Sequence, residues 1–192
     1  MKERPILFSG AMVRAILDGR KTQTRRVAKE FDGLDVDKVL ARFPHQRGCP
    51  YGEPGDRLWV RETFSRLEAF DFFHADVPED VPGFWYWADG NPTWGDWSRP
   101  KPSIHMPREA CRIQLEVTDV RVERLNDCSE ADAIAEGIAP ELDGWTDYSN
   151  PSCQMFISPV DSYRTLWDSI NGAGAWDANP WVWVVEFRRI HA

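Results

Sequence analysis

The segment from Gly19 to Arg26 concentrates the side chains of this chain that are best suited to polar chemistry. It reads GRKTQTRR, and its members with cationic or hydroxyl groups are Arg20, Lys21, Thr22, Thr24, Arg25 and Arg26. Cationic groups next to hydroxyls suit the recognition of a phosphate or of the polar edge of a base. An exposed basic strand without a ligand has the same composition, so this pattern alone leaves both interpretations open.

A carboxylate, Glu62, lies in the clearest strand pattern of the chain, residues 57–64 (RLWVRETF). Because side chains alternate between the two faces of a strand, Glu62 shares a face with the apolar residues of that segment and is expected to point inward. An inward carboxylate can move protons in a reaction. It can equally be a buried ion-pair partner of Lys21 or Arg26 that holds neighbouring elements together, and both roles remain open.

The polar segment follows a predicted helix and leads into a predicted strand. Residues 9–19 carry apolar side chains at helical spacing, with Ser9 suited to the N-cap and Gly19 to the C-terminal end. Residues 20–27 have no helical stripe and fit a loop that enters a strand. The polar side chains are therefore expected where a helix ends and a strand begins.

Further helices are predicted over 129–136, where Ser129 and Asp132 fit a capping box, and over 158–170. Within 111–125 the apolar phase slips by one residue, which predicts a bulge and a sharp bend. The other predicted segments are a final strand over 181–190, loops over 28–57 and 138–157, an acidic aromatic ribbon over 68–98, and a proline-rich edge segment or binding loop over 99–110.

Bent strands with short helices and no βαβ rhythm predict an α+β fold, a small bent mixed β-barrel with helices packed outside. The motifs GxxxxGK[ST], GxSxG and HExxH are absent from the sequence. This argues against a P-loop enzyme, an α/β-hydrolase and a zinc peptidase of that type. A Rossmann-type sheet is disfavoured because no glycine-rich turn joins a strand to a helix.

Charge is distributed unevenly over the 192 residues, whose net charge is −8. The first 30 residues carry eight basic and three acidic side chains, whereas the remainder is strongly acidic. A basic patch on an acidic body can bind a short polyanion and exclude long ones. No apolar run approaches the roughly 18 residues of a membrane span, and the N-terminus lacks a signal peptide's apolar core, so we expect a cytoplasmic protein without membrane contact.

Cysteine and histidine spacing predicts neither a disulfide framework nor a metal site. The cysteines are widely separated, with no CxxC pair, at Cys49, Cys111, Cys128 and Cys153. The histidines are scattered at His45, His74, His105 and His191. We therefore expect reduced thiols, no metal and no cofactor.

The segment Gly19–Arg26 matches the G-x-K-x-x-x-x-R signature of ASCH domains, which belong to the PUA-like superfamily. Further blocks resemble ASCH-type proteins of phages and prophages: RPILFSGAMVRAILDGRKTQTRRV, GDRLWVRETF, PSIHMPREACRIQLEVTDVRVERL, SEADAIAEGI and NPWVWVVEFRRI. The resemblance implies that residues 1–192 form a single ASCH/PUA-like domain, located in the host-cell cytoplasm if phage-encoded. Its insertions relative to a minimal ASCH domain are at about 28–50, 66–97 and 138–157.

The resemblance also implies a cleft between the first helix and the strands that takes RNA or a modified nucleoside. Some small bacterial members hydrolyse the amide of N4-acetylcytidine with a lysine, a threonine and a glutamate. Lys21 and Thr24 match the first two, and Glu62 is the candidate for the third. A threonine hydroxyl needs a base, and a desolvated lysine can serve as one. The remaining candidate ligand-binding residues are Arg20, Thr22, Arg25, Arg26, Ser103, His105 and Arg108.

Two other functions stay open. The chain can be a non-catalytic reader of RNA or of a modified base, or a phage interaction or morphogenesis protein. In the second case the aromatic, acidic segment 68–97 would contact a protein partner. The tryptophans over 85–97 fit either base stacking or a core. The sequence predicts no oligomeric state.

Overall fold

The computed structural model describes residues 1–42, 48–69, 80–149 and 155–190. Its elements in chain order are β1 (Glu3–Leu7), α1 (Gly10–Leu17), β2 (Gln23–Val27), α2 (Val36–Arg42), β3 (Arg57–Arg61), β4 (Phe64–Ala69), β5 (Phe84–Tyr86), β6 (Asp96–Trp97), β7 (Gln114–Arg124), α3 (Glu130–Ala135), β8 (Pro140–Glu141), β9 (Gly144–Thr146), β10 (Met155–Phe156), α4 (Pro159–Asn171) and β11 (Trp181–Ile190). Four residues singled out above lie outside the described ranges, namely His45, His74, Cys153 and His191.

A five-stranded mixed sheet in the order β1-β3-β7-β11-β2 positions the site. β1 and β3 run parallel, and the other neighbours run antiparallel. Within the described residues β1 and β2 are the two edges and do not pair with each other. Across that gap Arg26 donates a hydrogen bond to the Leu7 carbonyl oxygen at 2.8 Å. The α+β class is confirmed, whereas closure into a barrel stays a prediction.

The inner strand β11, which lies between β7 and β2, is buried on both faces, and this explains why its sequence WVWVV is apolar without alternation. Trp183, Val185 and Phe187 belong to a core that includes α1. Val182 and Val184 belong to a second core that includes residues of α3 and α4. The helices therefore cover opposite faces of the sheet around β11.

The phase slip in the sequence of β7 is a β-bulge, as predicted. The pairing of β7 with β11 shifts between Glu186 and Phe187, and Thr118 of β7 is the extra residue. Thr118 is exposed, whereas Val117 and Val120 are both buried. One inserted residue thus lets apolar side chains of different phase reach the same core.

The predicted helix ends are confirmed around the polar segment. Ser9 accepts a hydrogen bond from the backbone N–H of Met12 at the start of α1. Ser129 and Asp132 form the capping box of α3, each accepting from the backbone N–H of the other. Helices α1 and α3 are followed by Gly19 and Gly137, both with positive φ angles. The third predicted helix is α4, with Pro159 in its first turn.

Two segments predicted as loops contain regular structure. Within 28–57, the described residues include a 3-10 turn over Lys29–Phe31 and the short helix α2. Residues 138–157 hold β8, β9 and β10, which form a three-stranded sheet in the order β10-β9-β8. Strands of two or three residues are too short to display a hydrophobic period, so the sequence carries no signal for them.

Two strand-like segments also differ from expectation. The strand predicted over 57–64 is interrupted at Glu62 and Thr63, and β4 begins at Phe64 in a different sheet, ordered β5-β4-β6. The proline-rich segment 99–110, predicted as an edge segment or a binding loop, pairs with β4 through a bridge between Lys101 and Phe64 and then forms two 3-10 turns. Pro102 and Pro107 stand directly before these turns, where no backbone N–H is required of them.

Candidate functional site

The residues of β2 alternate between the two cores because β2 pairs with the doubly buried β11. Thr24 lies opposite Val185, and Arg25 lies opposite Val184. Since Val185 faces the core with α1 and Val184 faces the core with α3 and α4, Thr24 and Arg25 point to opposite sides. Both side chains are buried, at 2% and 3% exposure.

Lys21 is completely buried, and its ammonium group makes three hydrogen bonds. Nζ donates to the carbonyl oxygen of Gln23 at 2.8 Å, to the carbonyl oxygen of Glu136 at 2.8 Å, and to Oε2 of Glu136 at 2.9 Å. Burial lowers the pKa of Lys21, and the Glu136 carboxylate opposes this by favouring the charged form. The lowered pKa means that, at a given pH, a larger fraction of Lys21 is neutral and able to accept a proton than for an exposed lysine.

Close packing of two helix ends places Lys21 beside Glu136. The backbone N–H of Lys21 donates to the carbonyl oxygen of Ala15 in α1 at 2.9 Å. On the other side Gly137 follows α3 with a φ angle of +83°. A Cβ atom at Gly137 would lie 2.7 Å from the Cβ of Lys21, so only glycine leaves room for this approach.

Arg25 extends the ion pair into a charge cluster shared by β2, β7, β11 and the α3 segment that ends at Glu136. Its Nη1 lies 3.4 Å from Oε1 of Glu136, and its Nη2 lies 2.5 Å from Oε1 of Glu123. Arg121 binds Oε2 of Glu123 at 3.0 Å and Oδ1 of Asp132 at 2.6 Å. The cluster contains three cations and four carboxylates, namely Lys21, Arg25, Arg121, Glu123, Asp132, Glu136 and Glu186.

Asp132 should make the stability of the protein sensitive to acid. Burial acts to raise the pKa of Asp132, but hydrogen bonds from Ser129 and the charges of Arg25 and Arg121 outweigh it and hold that pKa at about 2. A carboxyl with a depressed folded-state pKa stabilises the fold above its ordinary pKa of 3.8 and loses that contribution as the pH falls toward about 2. Urea unfolding at successive pH values should show this loss, and Asp132→Asn should flatten it.

The exposed carboxyl Asp143 supplies the control for this acid profile. Asp143→Asn should keep the wild-type slope between pH 3.8 and about 2. An Asp132→Asn profile parallel to that of the wild type would contradict the assigned role of Asp132.

A pocket of about 60 Å³ lies at the free edge of β2, between α1 and α4. Its polar lining consists of Thr24, Arg25, Arg26, Glu136 and Asn171, and its remaining lining consists of Met12, Val27, Tyr163, Leu166, Trp167 and Ile170. The volume corresponds to about two water molecules at roughly 30 Å³ each. It suits a small group such as an acyl group, while the rest of a larger ligand would lie outside, near the exposed Ile170.

Glu62 is buried, as its strand pattern predicts, but its ion-pair partner is neither Lys21 nor Arg26, so that expectation is wrong. Oε1 and Oε2 of Glu62 accept from Nε and Nη2 of Arg112, both at 2.9 Å. Arg112 also binds Asp89 and lies over the ring of Tyr86, 4.0 Å from its centroid. Burial raises the pKa of Glu62, and Arg112 opposes the rise. The carboxylate that meets Lys21 is Glu136.

Three further residues of the predicted site lie around the cluster. Arg20 donates to the carbonyl oxygen of Gly137 at 3.2 Å, which fastens it to the end of α3. Thr22 is exposed. Arg26 is half-buried, lines the pocket and lies over the ring of Phe8, 5.4 Å from its centroid. Of these, Arg26 is placed to contact a ligand in the pocket.

The predicted residues of the proline-rich segment belong to another surface. Ser103 and His105 lie in a 3-10 turn whose middle residue, Ile104, accepts a hydrogen bond from Arg61. Arg108 pairs with Glu3 at 3.1 Å. The described lining of the pocket contains none of the three predicted residues. Their role as ligand contacts stays a prediction.

Sequence reasoning missed Glu136 and Trp167. Glu136 lies in the block SEADAIAEGI, directly before the glycine that follows α3, and this position was the available signal. Trp167 falls in the helix predicted over 158–170, and no functional role was predicted for it. A buried lysine requires a counterion, but the sequence offers 31 acidic residues and does not say which one meets Lys21.

The tryptophans of the predicted aromatic ribbon pack against one another. The ring centroids of Trp85 and Trp97 lie 5.7 Å apart, and those of Trp94 and Trp97 lie 5.1 Å apart. A separate groove of about 790 Å³ runs beside this group, lined by residues that include Trp87 and Trp97. Binding of a protein partner through this segment stays a prediction.

The described ranges show neither a metal-binding cluster nor a helix that could span a membrane. No cluster of three or more His, Cys, Asp or Glu side chains in them is arranged to hold a metal ion. Cys49, Cys111 and Cys128 are free thiols, and burial raises the pKa of Cys128 to about 12. None of the described helices combines the length and the apolar character needed to traverse a bilayer.

A solved structure similar to this chain is the crystal structure of the ASCH domain from Lactobacillus crispatus JV V101. The two share 14% sequence identity, and the match covers 98% of this chain and 79% of that chain with a TM-score of 0.43. No protein-family model and no curated protein matches the chain.

Proposed function

We propose that this chain is an ASCH-type protein that binds an N4-acylated cytidine, as a nucleoside or within RNA, and hydrolyses its amide. The observation that carries the proposal is that one small pocket, at the free edge of β2, is lined by residues from both faces of the strand, including Thr24 and the Lys21 partner Glu136. Thr24 and Glu136 line this pocket, and Lys21 lies behind Glu136 at 2.9 Å. Glu136 takes the role expected of Glu62.

In this proposal the Thr24 hydroxyl attacks the acyl carbon. The C–N bond breaks, an acyl-threonine ester forms, and the Thr24 proton passes through the Lys21–Glu136 pair to the departing N4 atom. Cytidine leaves with a neutral amino group. Water then attacks the ester, which releases the carboxylic acid and restores the hydroxyl.

Charge and space support this reading of the pocket. The lowered pKa of Lys21 increases the population of the neutral amine, the form that can accept a proton at Nζ. A volume of about 60 Å³ fits an acyl group, and the half-buried Arg26 at its lining supplies a cation for the polar part of the ligand that stays outside.

One observation favours a second function, a reader that binds the acylated base without turnover. Nζ of Lys21 already donates three hydrogen bonds within the protein. This is the geometry of a charged ammonium that holds β2 to α3. In that case the pocket binds the same ligand, and Lys21 shapes it without moving protons.

Turnover decides between the two functions. The purified protein is incubated with N4-acetylcytidine, and release of cytidine is followed by chromatography. We expect release by the wild type and by Thr24→Ser, which keeps a hydroxyl, and a fall of about 100-fold or more in Thr24→Val, which loses the nucleophile.

The matched control is Thr118→Val, because Thr118 is an exposed threonine at the β7 bulge. It should release cytidine at the wild-type rate. Binding of N4-acetylcytidine by folded wild-type protein without release favours the reader. If the folded wild-type protein neither binds N4-acetylcytidine nor releases cytidine from it, the hydrolase and the reader are both overturned.

A further inference from the structure

Two buried hydrogen-bond donors at the pocket have no partner among the described residues, Nε of Arg25 and Nε1 of Trp167. Arg25 is 3% exposed and Trp167 is 4% exposed, and both line the pocket. A buried N–H group without an acceptor is costly, so in folded proteins such groups almost always meet an ordered water or a ligand. Two side chains of the pocket lining therefore carry unused N–H groups that an acceptor atom of a ligand could satisfy.

Both donors are held in place by the surrounding structure. The terminal nitrogens of Arg25 are engaged by Glu123 and Glu136, which fixes the plane of the guanidinium and the direction of its Nε–H bond. Trp167 packs against Tyr163 in α4 with ring centroids 6.2 Å apart. Donors fixed before a ligand arrives need no reorganisation when charge develops opposite them.

The surroundings indicate a carbonyl oxygen rather than a phosphate. The cations of the charge cluster already face Glu123, Asp132 and Glu136, so a phosphate would bring its full charge against these carboxylates on binding, whereas a carbonyl oxygen is neutral on binding and gains charge only during the attack. The apolar side chains of Leu166 and Ile170 suit the hydrocarbon part of an acyl group. A neutral carbonyl accepts two hydrogen bonds without the desolvation cost of an ion.

We propose that the Arg25 Nε–H and Trp167 Nε1–H groups are the oxyanion donors for the acyl carbonyl of the substrate. This rests on the proposed amide hydrolysis, because it assigns a place to the oxygen in that reaction. When Thr24 attacks, the electron pair of the carbonyl moves to the oxygen, which the two donors stabilise. The pair returns when the C–N bond breaks, and both donors keep their protons.

Trp167→Phe tests the assignment because it removes the N–H group and keeps an aromatic ring. We expect kcat for N4-acetylcytidine to fall by about 100-fold or more while KM rises by only about fivefold, since the donor gives the bound carbonyl one neutral hydrogen bond and acts mainly in the transition state. Trp85→Phe is the matched control. Its Nε1 donates to the carbonyl oxygen of Gly90 in the aromatic ribbon, so both constants should stay at wild-type values.

A second measurement tests the assignment even if Trp167→Phe turns over too slowly for its kinetic constants to be determined. In a Thr24→Val background, equilibrium binding of N4-acetylcytidine is compared with that of cytidine. We expect the acylated ligand to bind more tightly, and adding Trp167→Phe to reduce that preference about fivefold or more, the size of one neutral hydrogen bond.

The two proposals fail in different ways. If folded Trp167→Phe keeps wild-type kcat and the binding preference is unchanged, the donors hold only water and this inference is overturned, while amide hydrolysis stands. If the wild type releases no cytidine, both proposals are overturned.

Discussion

Replacing Glu136 with leucine should lower the free energy of unfolding by about 3–5 kcal/mol, the cost of leaving a buried charge without its partner. The Lys21 side chain is 0% exposed, and Glu136 is its ion-pair partner at 2.9 Å. Arg25 also loses a carboxylate that lies 3.4 Å away. Equilibrium unfolding in urea, monitored by tryptophan fluorescence, measures the loss.

A control variant and a double variant test whether the loss comes from the buried charge that is left unpaired. Glu109→Leu breaks the exposed pair with Arg66 and should change the free energy of unfolding by no more than about 1 kcal/mol. The double variant Lys21→Met/Glu136→Leu should recover most of the loss, because both charges of the pair are then gone. A Glu136→Leu protein as stable as Glu109→Leu would contradict the assigned role.

Gly137→Ala should lower the free energy of unfolding by about 3 kcal/mol, through strain at a positive φ angle and through overpacking. The φ angle is +83°, and an added Cβ would lie 2.7 Å from the Cβ of Lys21 and 3.0 Å from the Cβ of Ala15. The backbone around Lys21 would have to move, which would also displace its contacts with Glu136. Urea unfolding measures this effect.

Gly19→Ala is the matched control for Gly137→Ala. Its φ angle is +75°, but an added Cβ would meet nothing within 4 Å. It should therefore cost only about 1 kcal/mol, the conformational part alone. Equal losses of unfolding free energy in the two variants would show that the close approach of Lys21 to Gly137 adds nothing to the cost of Gly137→Ala.

Local signals in the sequence were sufficient for much of the fold. The capping box of Ser129 and Asp132 predicts where α3 begins, and the phase slip in β7 predicts the bulge at Thr118. Each of these features depends on hydrogen bonds or periodicity within a few residues of the chain. Segments of two or three residues, such as β8 and β10, carry no period and were missed.

The same distinction applies to the candidate site, where local sequence predicts some of the residues but not their partners. The sequence indicates Lys21 and Thr24 through the spacing of one short segment, and it indicates through alternation that Glu62 is buried. It does not indicate partners: Lys21 meets a carboxylate 115 residues away, and Glu62 meets Arg112, 50 residues away. Many carboxylates in the sequence are chemically equivalent candidates for each cation.

The sequence by itself determined which side chains are capable of the chemistry, because residue type and local spacing are written in it. The tertiary structure alone decided which of them meet. The close approach at Gly137 brings the end of α3 against Lys21, and the packing of α4 at the free edge of β2 adds Trp167 to the pocket that Arg25 and Thr24 line. Both contacts depend on how distant elements pack, and no local pattern records that.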